Sequence, residues 1–360
     1  MYRADFGNSI LRLRLRDWAV VGLFVLACFV VIPRLCQWFE RLPAGIDDRI
    51  PYESSEDYWT YRVRIEHMVE GERIPIIGDS VIWGEYVAPA ETLSACLNRD
   101  LPAPRFANAG LNGAHPLALS GLVANYTDAL QDRHVILHCN LLWMSSPERD
   151  LQSGDTPINH TRLLPQFVPR IPAYHAPFSE RVSLSIDRSV SFFDCVTHIR
   201  TRYFDGRDLQ SWAIAHPLAN PLRQFEQTAP PDTTALRHAG VPWTEQGIEP
   251  QDMPWLDLNS SLQWEAWKQT AQRLRARRNS LLVLVGPLNE HLLTDSSRRR
   301  HQAVRQQVEE WLHSEEIPYV ASAVLPSDEY GDASHPLATG YVRLAKNIIS
   351  GPEFRDWLAD

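Results

Sequence analysis

Four short stretches of this chain carry the residue types that acyl transfer needs. "GDS" (78–80) follows the apolar run "RIPII" (73–77) and places the hydroxyl of Ser80 on the turn. "NAGLNGAHP" supplies Gly113, Asn140 directly follows "HVILHC", and "SDEYGDASHP" puts Asp332 three residues before His335. A serine hydroxyl becomes an effective nucleophile when a base takes its proton, and histidine suits that task near neutral pH. The tetrahedral species that follows needs donors where its oxyanion forms, each worth about 3–4 kcal/mol. The N–H groups of Ser80 and Gly113 and the side-chain amide of Asn140 are the candidates, and Gly113 has no side chain to hold its backbone away. By itself Gly-Asp-Ser is a set of common turn residues. Its weight comes from its order with the other three stretches.

Those stretches must be brought together by the elements around them. "RIPII", "PRFANAG" (104–110), "HVILHC" (134–139), "SLLVLVG" (280–286) and "PYVASAVL" (318–325) read as buried strands. Helical patterns separate them: 89–97, "PLALSGLVANYTDAL", "SSLQWEAWKQTAQRLRARR" and "RRRHQAVRQQVEEWLHSEE", with "ATGYVRLAKNIIS" as a closing helix. Such alternation predicts an α/β fold with a parallel central sheet covered on both faces. Ligands of such sheets bind at the carboxyl ends of the strands, where all four stretches fall. Residues 144–279 interrupt the rhythm. They are rich in Pro, Arg and His and read as one large insertion between strands 3 and 4, with a helix expected over "SVSFFDCVTHIRTRYF". The insertion either contacts substrate or packs on the core as a solvated cap.

Other candidates carry less. Asn289 and His291 follow the fourth strand and His115 follows Gly113, so all three are possible substrate-binding residues. A structural, hydrogen-bonded role is the competing reading for each. No His/carboxylate cluster suggests a metal, no Gly-rich loop suggests a phosphate cofactor, and no CxxC spacing occurs, so no cofactor is expected. The five cysteines are expected to be free or buried thiols. A formal net charge of −9 argues against nucleic acid as a partner.

The N-terminus indicates the compartment. "WAVVGLFVLACFVVI" (18–32) carries no charge, and snorkelling of Arg34 extends the apolar stretch to Phe39. Arg12, Arg14 and Arg16 precede it, which predicts a cytoplasmic N-terminus and an exported remainder. A cleaved signal peptide lacks its small-x-small site, and Leu26-Ala27-Cys28 is a poor lipoprotein signal, so an uncleaved anchor is the preferred reading. The expected organisation is a cytoplasmic segment (1–16), a transmembrane anchor (17–39), a juxtamembrane linker (40–72) and a catalytic domain (73–360).

On the motifs GDS, Gly113, Asn140 and DxxH, and on "HPLATGYVRLAKNI" near the C-terminus, the chain resembles the SGNH (GDSL-type) hydrolases. The resemblance covers 73–140 and 280–350. It implies a three-layer α/β/α, flavodoxin-like fold. It implies Ser80 as nucleophile, His335 as general base, Asp332 as its support, and Ser80, Gly113 and Asn140 as the oxyanion hole. The third block departs from the usual Gly-x-Asn-Asp, reading His138-Cys139-Asn140-Leu141. In this and in its anchor and insertion the chain is similar to membrane-linked members that O-acetylate alginate or move D-alanine onto teichoic acids. That likeness implies an acyl ester substrate, a cell-envelope glycan as a possible acceptor, and a possible multi-pass membrane acyltransferase as partner. The alternative is a non-catalytic protein that keeps the fold as a binding or scaffold module.

Overall fold

The computed structural model describes residues 14–40, 49–103, 105–154, 157–226 and 240–359. Arg12 and the rest of the N-terminal segment up to residue 13 lie outside the described residues. In chain order the elements are α1 (Leu15–Phe39), α2 (Tyr58–Glu70), β1 (Ile74–Gly78), α3 (Ser80–Trp83), α4 (Leu93–Asp100), β2 (Phe106–Gly110), α5 (Pro116–Tyr126) and β3 (His134–Cys139). There follow α6 (Phe178–Ser189), α7 (Ser191–Tyr203), α8 (Leu209–Ala215), α9 (Leu262–Ala276), β4 (Ser280–Val285), α10 (Asp295–Ser314), β5 (Tyr319–Ala321), α11 (Ala338–Ser350) and α12 (Pro352–Ala359).

The five strands form one parallel sheet in the order β2-β1-β3-β4-β5. Alternation along each strand divides its side chains between two layers. Ile77, Leu137 and Val283 face α2, α5, α9 and α10 and share a core with Tyr61, Ile65, Trp267 and Val308. Ile76, Ile136 and Leu284 face the other way, onto a core with Leu97 of α4, Tyr341 and Leu344 of α11, and Phe354 of α12. Both faces are covered, which is why the strands read as continuous apolar runs.

Several expectations need correction. The stretch 40–72 is more than a linker. Tyr58, Tyr61, Ile65 and Met68 of α2 recur at helical spacing and enter the main core. The segment 144–279 is not wholly an insertion. Its last helix, α9, buries Trp264 and Trp267 beside the sheet and is the crossover from β3 to β4. The closing helix is not the last element, since Gly351 and Pro352 break the chain before α12. Nor are all cysteines free: Cys36 of α1 is disulfide-bonded to Cys195 of α7, while Cys28, Cys96 and Cys139 are free. Spacing in sequence does not reveal a pair 159 residues apart.

The helix α1 is long and apolar enough over Leu15–Trp38 to cross a bilayer. Its far end is fixed to the domain. Phe29 stacks on Phe192 of α7 with centroids 4.3 Å apart, and Ile32 and Cys36 pack against a small core of Trp59, Val63 and Cys195.

The packing yields a direct test. Leu137 is fully buried at the centre of the sheet. Leu137→Ala should lower stability by about 2–5 kcal/mol, read as an earlier denaturant midpoint for the full chain in detergent.

Candidate functional site

The site is built on the carboxyl ends of β1, β2 and β3. Gly78 ends β1, and Asp79 then caps α3 by accepting the Val81 N–H at 3.0 Å. This leaves Ser80 as the first residue of a one-turn helix. The turn is clamped from several sides. Asn108 of β2 donates to the Ile82 carbonyl at 2.8 Å and accepts the Gly110 N–H at 3.0 Å. The Tyr341 hydroxyl of α11 donates to the Val81 carbonyl. Arg49 lies over the Trp83 ring and donates to the carbonyls of Trp83, Gly84 and Val87. A Cβ at Gly110 would stand 2.4 Å from the Trp83 nitrogen, so only glycine lets β2 approach α3 this closely.

The loop after β5 brings the other two groups. His335 Nε2 lies 2.7 Å from Ser80 Oγ, and His335 Nδ1 lies 2.7 Å from Asp332 Oδ2. The Asp332 carboxylate also accepts the N–H groups of Ser334 and His335 at 2.9 Å and the Tyr86 hydroxyl at 3.1 Å. The Tyr86 ring meets the His335 ring edge-on at 5.6 Å. Both acid and base are partly accessible, with 32% and 14% of their side chains exposed.

Asn140 is drawn to the same place by Asp79. Its amide donates to Asp79 Oδ2 at 2.7 Å, and its Oδ1 accepts the Leu142 N–H. Trp143 Nε1 donates to the same Asp79 oxygen at 2.8 Å, and His138 Nδ1 lies 3.3 Å from the other. Gly113 sits in the loop that follows β2, which is tied to β1 by the Leu111 N–H donating to the Gly78 carbonyl. Its φ of +73° is a left-handed conformation, and a Cβ there would stand 2.8 Å from the Asn159 amide nitrogen.

The electrostatics follow from these contacts. Burial works to raise the pKa of Asp79, but His138, Trp143 and Asn140 outweigh it and bring it down to about 2. Burial likewise opposes ionisation of Asp332, and the charge and hydrogen bonds of His335 with two backbone donors hold it far below the usual carboxylate range. For His335 burial favours the neutral ring, yet the charge and hydrogen bond of Asp332, with lesser help from Asp79 and Glu85, raise its pKa. A hydroxyl, an imidazole and a carboxylate in this line can move a proton from Ser80 to a base stabilised by Asp332.

The remaining expected residues lie nearby in structural roles. Asn289 is fully buried and donates to the Asp332 carbonyl at 3.0 Å, which supports the loop of the acid. His291 Nε2 is 3.0 Å from the Leu325 carbonyl. His115 caps α5 through the Ala118 N–H and lies 3.4 Å from Gln263. Burial and the neighbouring His160 push its pKa down to about 3. Sequence reasoning missed Tyr86, Asn108, Trp143 and Arg49. Tyr86 and Trp143 stand only two and three residues beyond Gly84 and Asn140, but nothing local marks them. Among the described residues no group of His, Cys, Asp or Glu is placed to hold a metal ion. No family model matches the chain, and no curated protein matches it by sequence.

The raised pKa of His335 has a kinetic consequence. A base must be neutral to accept the proton, so reaction of Ser80 with a fluorophosphonate should rise with pH through a midpoint above the ordinary histidine value of about 6.5. Asp332→Asn should move that midpoint down and slow the reaction on the order of 10⁴-fold, as read from labelling rates across pH.

Proposed function

We propose that the protein is a membrane-anchored, extracytoplasmic serine acyl-transfer enzyme of the SGNH type, either an esterase or an O-acyltransferase. The observation that carries this reading is the unbroken line from Ser80 through His335 to Asp332, with 2.7 Å at both links. The sheet order β2-β1-β3-β4-β5 is that of flavodoxin-like sheets and favours the same family. Asn140, directly after β3, and Gly113, in the loop after β2, support the reading of these two as oxyanion-hole donors.

In this mechanism Ser80 Oγ attacks the carbonyl carbon of an acyl ester while His335 Nε2 takes its proton. The carbonyl π pair becomes the oxyanion, held by the N–H groups of Ser80 and Gly113 and the amide of Asn140. Collapse breaks the bond to the alcohol, which leaves with the proton from His335. An acceptor O–H then gives its proton to His335 and attacks the acyl-enzyme, and Ser80 is regenerated. Water as acceptor gives an esterase; a glycan hydroxyl gives an O-acyltransferase. The anchor and the insertion favour acyl transfer on a cell-envelope glycan, beside a multi-pass membrane protein that delivers acyl groups. The disulfide between Cys36 and Cys195 favours an oxidising, exported location for everything beyond α1.

Two measurements test the reading. Wild type should be labelled by a fluorophosphonate and Ser80→Ala should not; no labelling of wild type, or equal labelling of both, would leave a binding or scaffold protein. Asn140→Ala should keep the label yet lower turnover of an activated acetyl ester by about 10²–10³-fold. Offered that ester with an oligosaccharide, a transferase should acetylate the sugar. Free acetate alone, with and without sugar, would assign an esterase.

A further inference from the structure

The insertion turns apolar side chains outward on the elements that flank α7, the helix that packs on α1. In α6, Arg181 and Arg188 point inward and donate to the carbonyls of Gln166, Tyr174 and Leu164. Phe178 and Ile186 point outward, 74% and 47% exposed. The hydroxyls of Ser185 and Ser189 return to the carbonyls four residues earlier, at 2.8 and 2.7 Å. Such back-bonding satisfies the hydroxyls within the helix itself. After α7, the exposed residues include Ile214, Leu218 and Leu222, with the cations Arg207 and Arg223 and the acids Asp205 and Asp208 interspersed.

The depth of these elements follows from α1. Trp18 and Trp38 are both exposed and bracket about 30 Å of helix, the thickness of a hydrocarbon core, with aromatic rings at the two boundaries. Phe29 lies about 13 Å inside the Trp38 boundary. Phe192 and Phe193, in the first turn of α7, pack on Phe29 with centroids 4.3 and 5.7 Å away. Farther along both helices Cys36 meets Cys195, and Glu40 pairs with His198 and Arg202. The helices α1 and α7 therefore run side by side in the same direction. The start of α7 and the end of α6 lie at the level of Phe29, within the apolar slab. Tyr203, at the end of α7, donates to Glu40 just beyond the Trp38 boundary, and Phe225 packs on Tyr203 at 4.9 Å. That places the stretch after α7 at headgroup level.

We propose that the insertion is a membrane seat: the α6–α7 junction enters the outer leaflet and the α8 region lies on the headgroups. The occupant of this surface is lipid. The domain is then held in one attitude to the bilayer, where a bare tether would let it swing. The inference rests on α1 crossing the membrane and is separable from the acyl-transfer chemistry.

The test uses the full chain reconstituted in vesicles of phosphatidylcholine and phosphatidylglycerol carrying a diazirine-labelled acyl chain. After irradiation, adducts are mapped by mass spectrometry. Adducts are expected in α1 and in peptides covering 178–192 and 209–225, at least tenfold above those in α10. Phe178→Glu combined with Ile186→Glu should remove the α6 adducts and leave those in α1. Adducts in α1 alone overturn the seat while α1 still spans. No adducts in α1 overturn the span and the seat together. Label at 178–192 that is present at low lipid-to-protein ratio and unchanged as the ratio is raised supports lipid over a second copy; label that is absent at low ratio and appears only as the ratio is raised shows a second copy seated there and overturns lipid as the occupant.

Discussion

The carboxylate of Asp79 joins the parts of the site. It is fully buried, and a buried charge persists only where it is paired and hydrogen-bonded. Its partners come from two strand ends: the Val81 N–H in its own turn, and His138, Asn140 and Trp143 at the end of β3. Satisfying one anion therefore fixes the turn that carries Ser80 and the amide of Asn140 relative to each other. The ring of His138 occupies the place where the resemblance expects a glycine, and its Nε2 reaches the Gly286 carbonyl at 3.0 Å, which ties β4 into the same network. A larger side chain stands there, and its Nδ1 lies 3.3 Å from Asp79.

The loop that carries Asp332 and His335 follows the short edge strand β5, and it is held by other means. Gln246 donates to the Gly331 carbonyl at 2.8 Å, the Trp243 N–H donates to the Tyr330 carbonyl, and Trp243 Nε1 donates to the Ser327 carbonyl. These residues belong to the insertion. Tyr330 reaches back to the Leu288 carbonyl, and Asn289 holds the Asp332 carbonyl. One part of the insertion thus braces the loop of Asp332 and His335, while another, α7, packs on α1.

The legible parts of the sequence were those whose signal is local. Five apolar runs bounded by turn residues gave the strands, and β3 and β4 fall where "HVILHC" and "SLLVLVG" place them. Ser80, Asp332 and His335 come together because strand ends of a parallel sheet share an edge, a rule that needs no side-chain detail. What escaped was long-range. Arg49, Asn108 and Tyr86 act on residues distant in sequence, and no periodicity marks a side chain for the carbonyl it will meet. The disulfide and the role of α2 were hidden for the same reason. Asn289 shows the limit of reasoning from position: it lies beside Asp332, but it is fully buried and donates to the Asp332 carbonyl.

The junction between α1 and the domain is electrostatic as well as apolar. Glu40, one residue beyond the helix, faces His198 at 3.4 Å and Arg202 at 2.7 Å, and His198 Nδ1 lies 2.7 Å from Asp57 at the start of α2. Burial alone would lower the pKa of His198, but the hydrogen bonds and charges of Asp57 and Glu40 raise it to about 9. A group raised on folding stabilises fully below its unfolded value near 6.5, and the contribution fades as pH climbs through about 9. At neutral pH the ring is therefore cationic and bridges a carboxylate at the end of α1 and one capping α2. With the disulfide and the Phe29 stack beside it, this bridge makes α1 a strut built into the domain. A strut transmits the orientation of α1 to α2, and α2 packs on the sheet whose carboxyl edge carries Ser80. The position of the candidate site relative to α1 is thus fixed through these contacts.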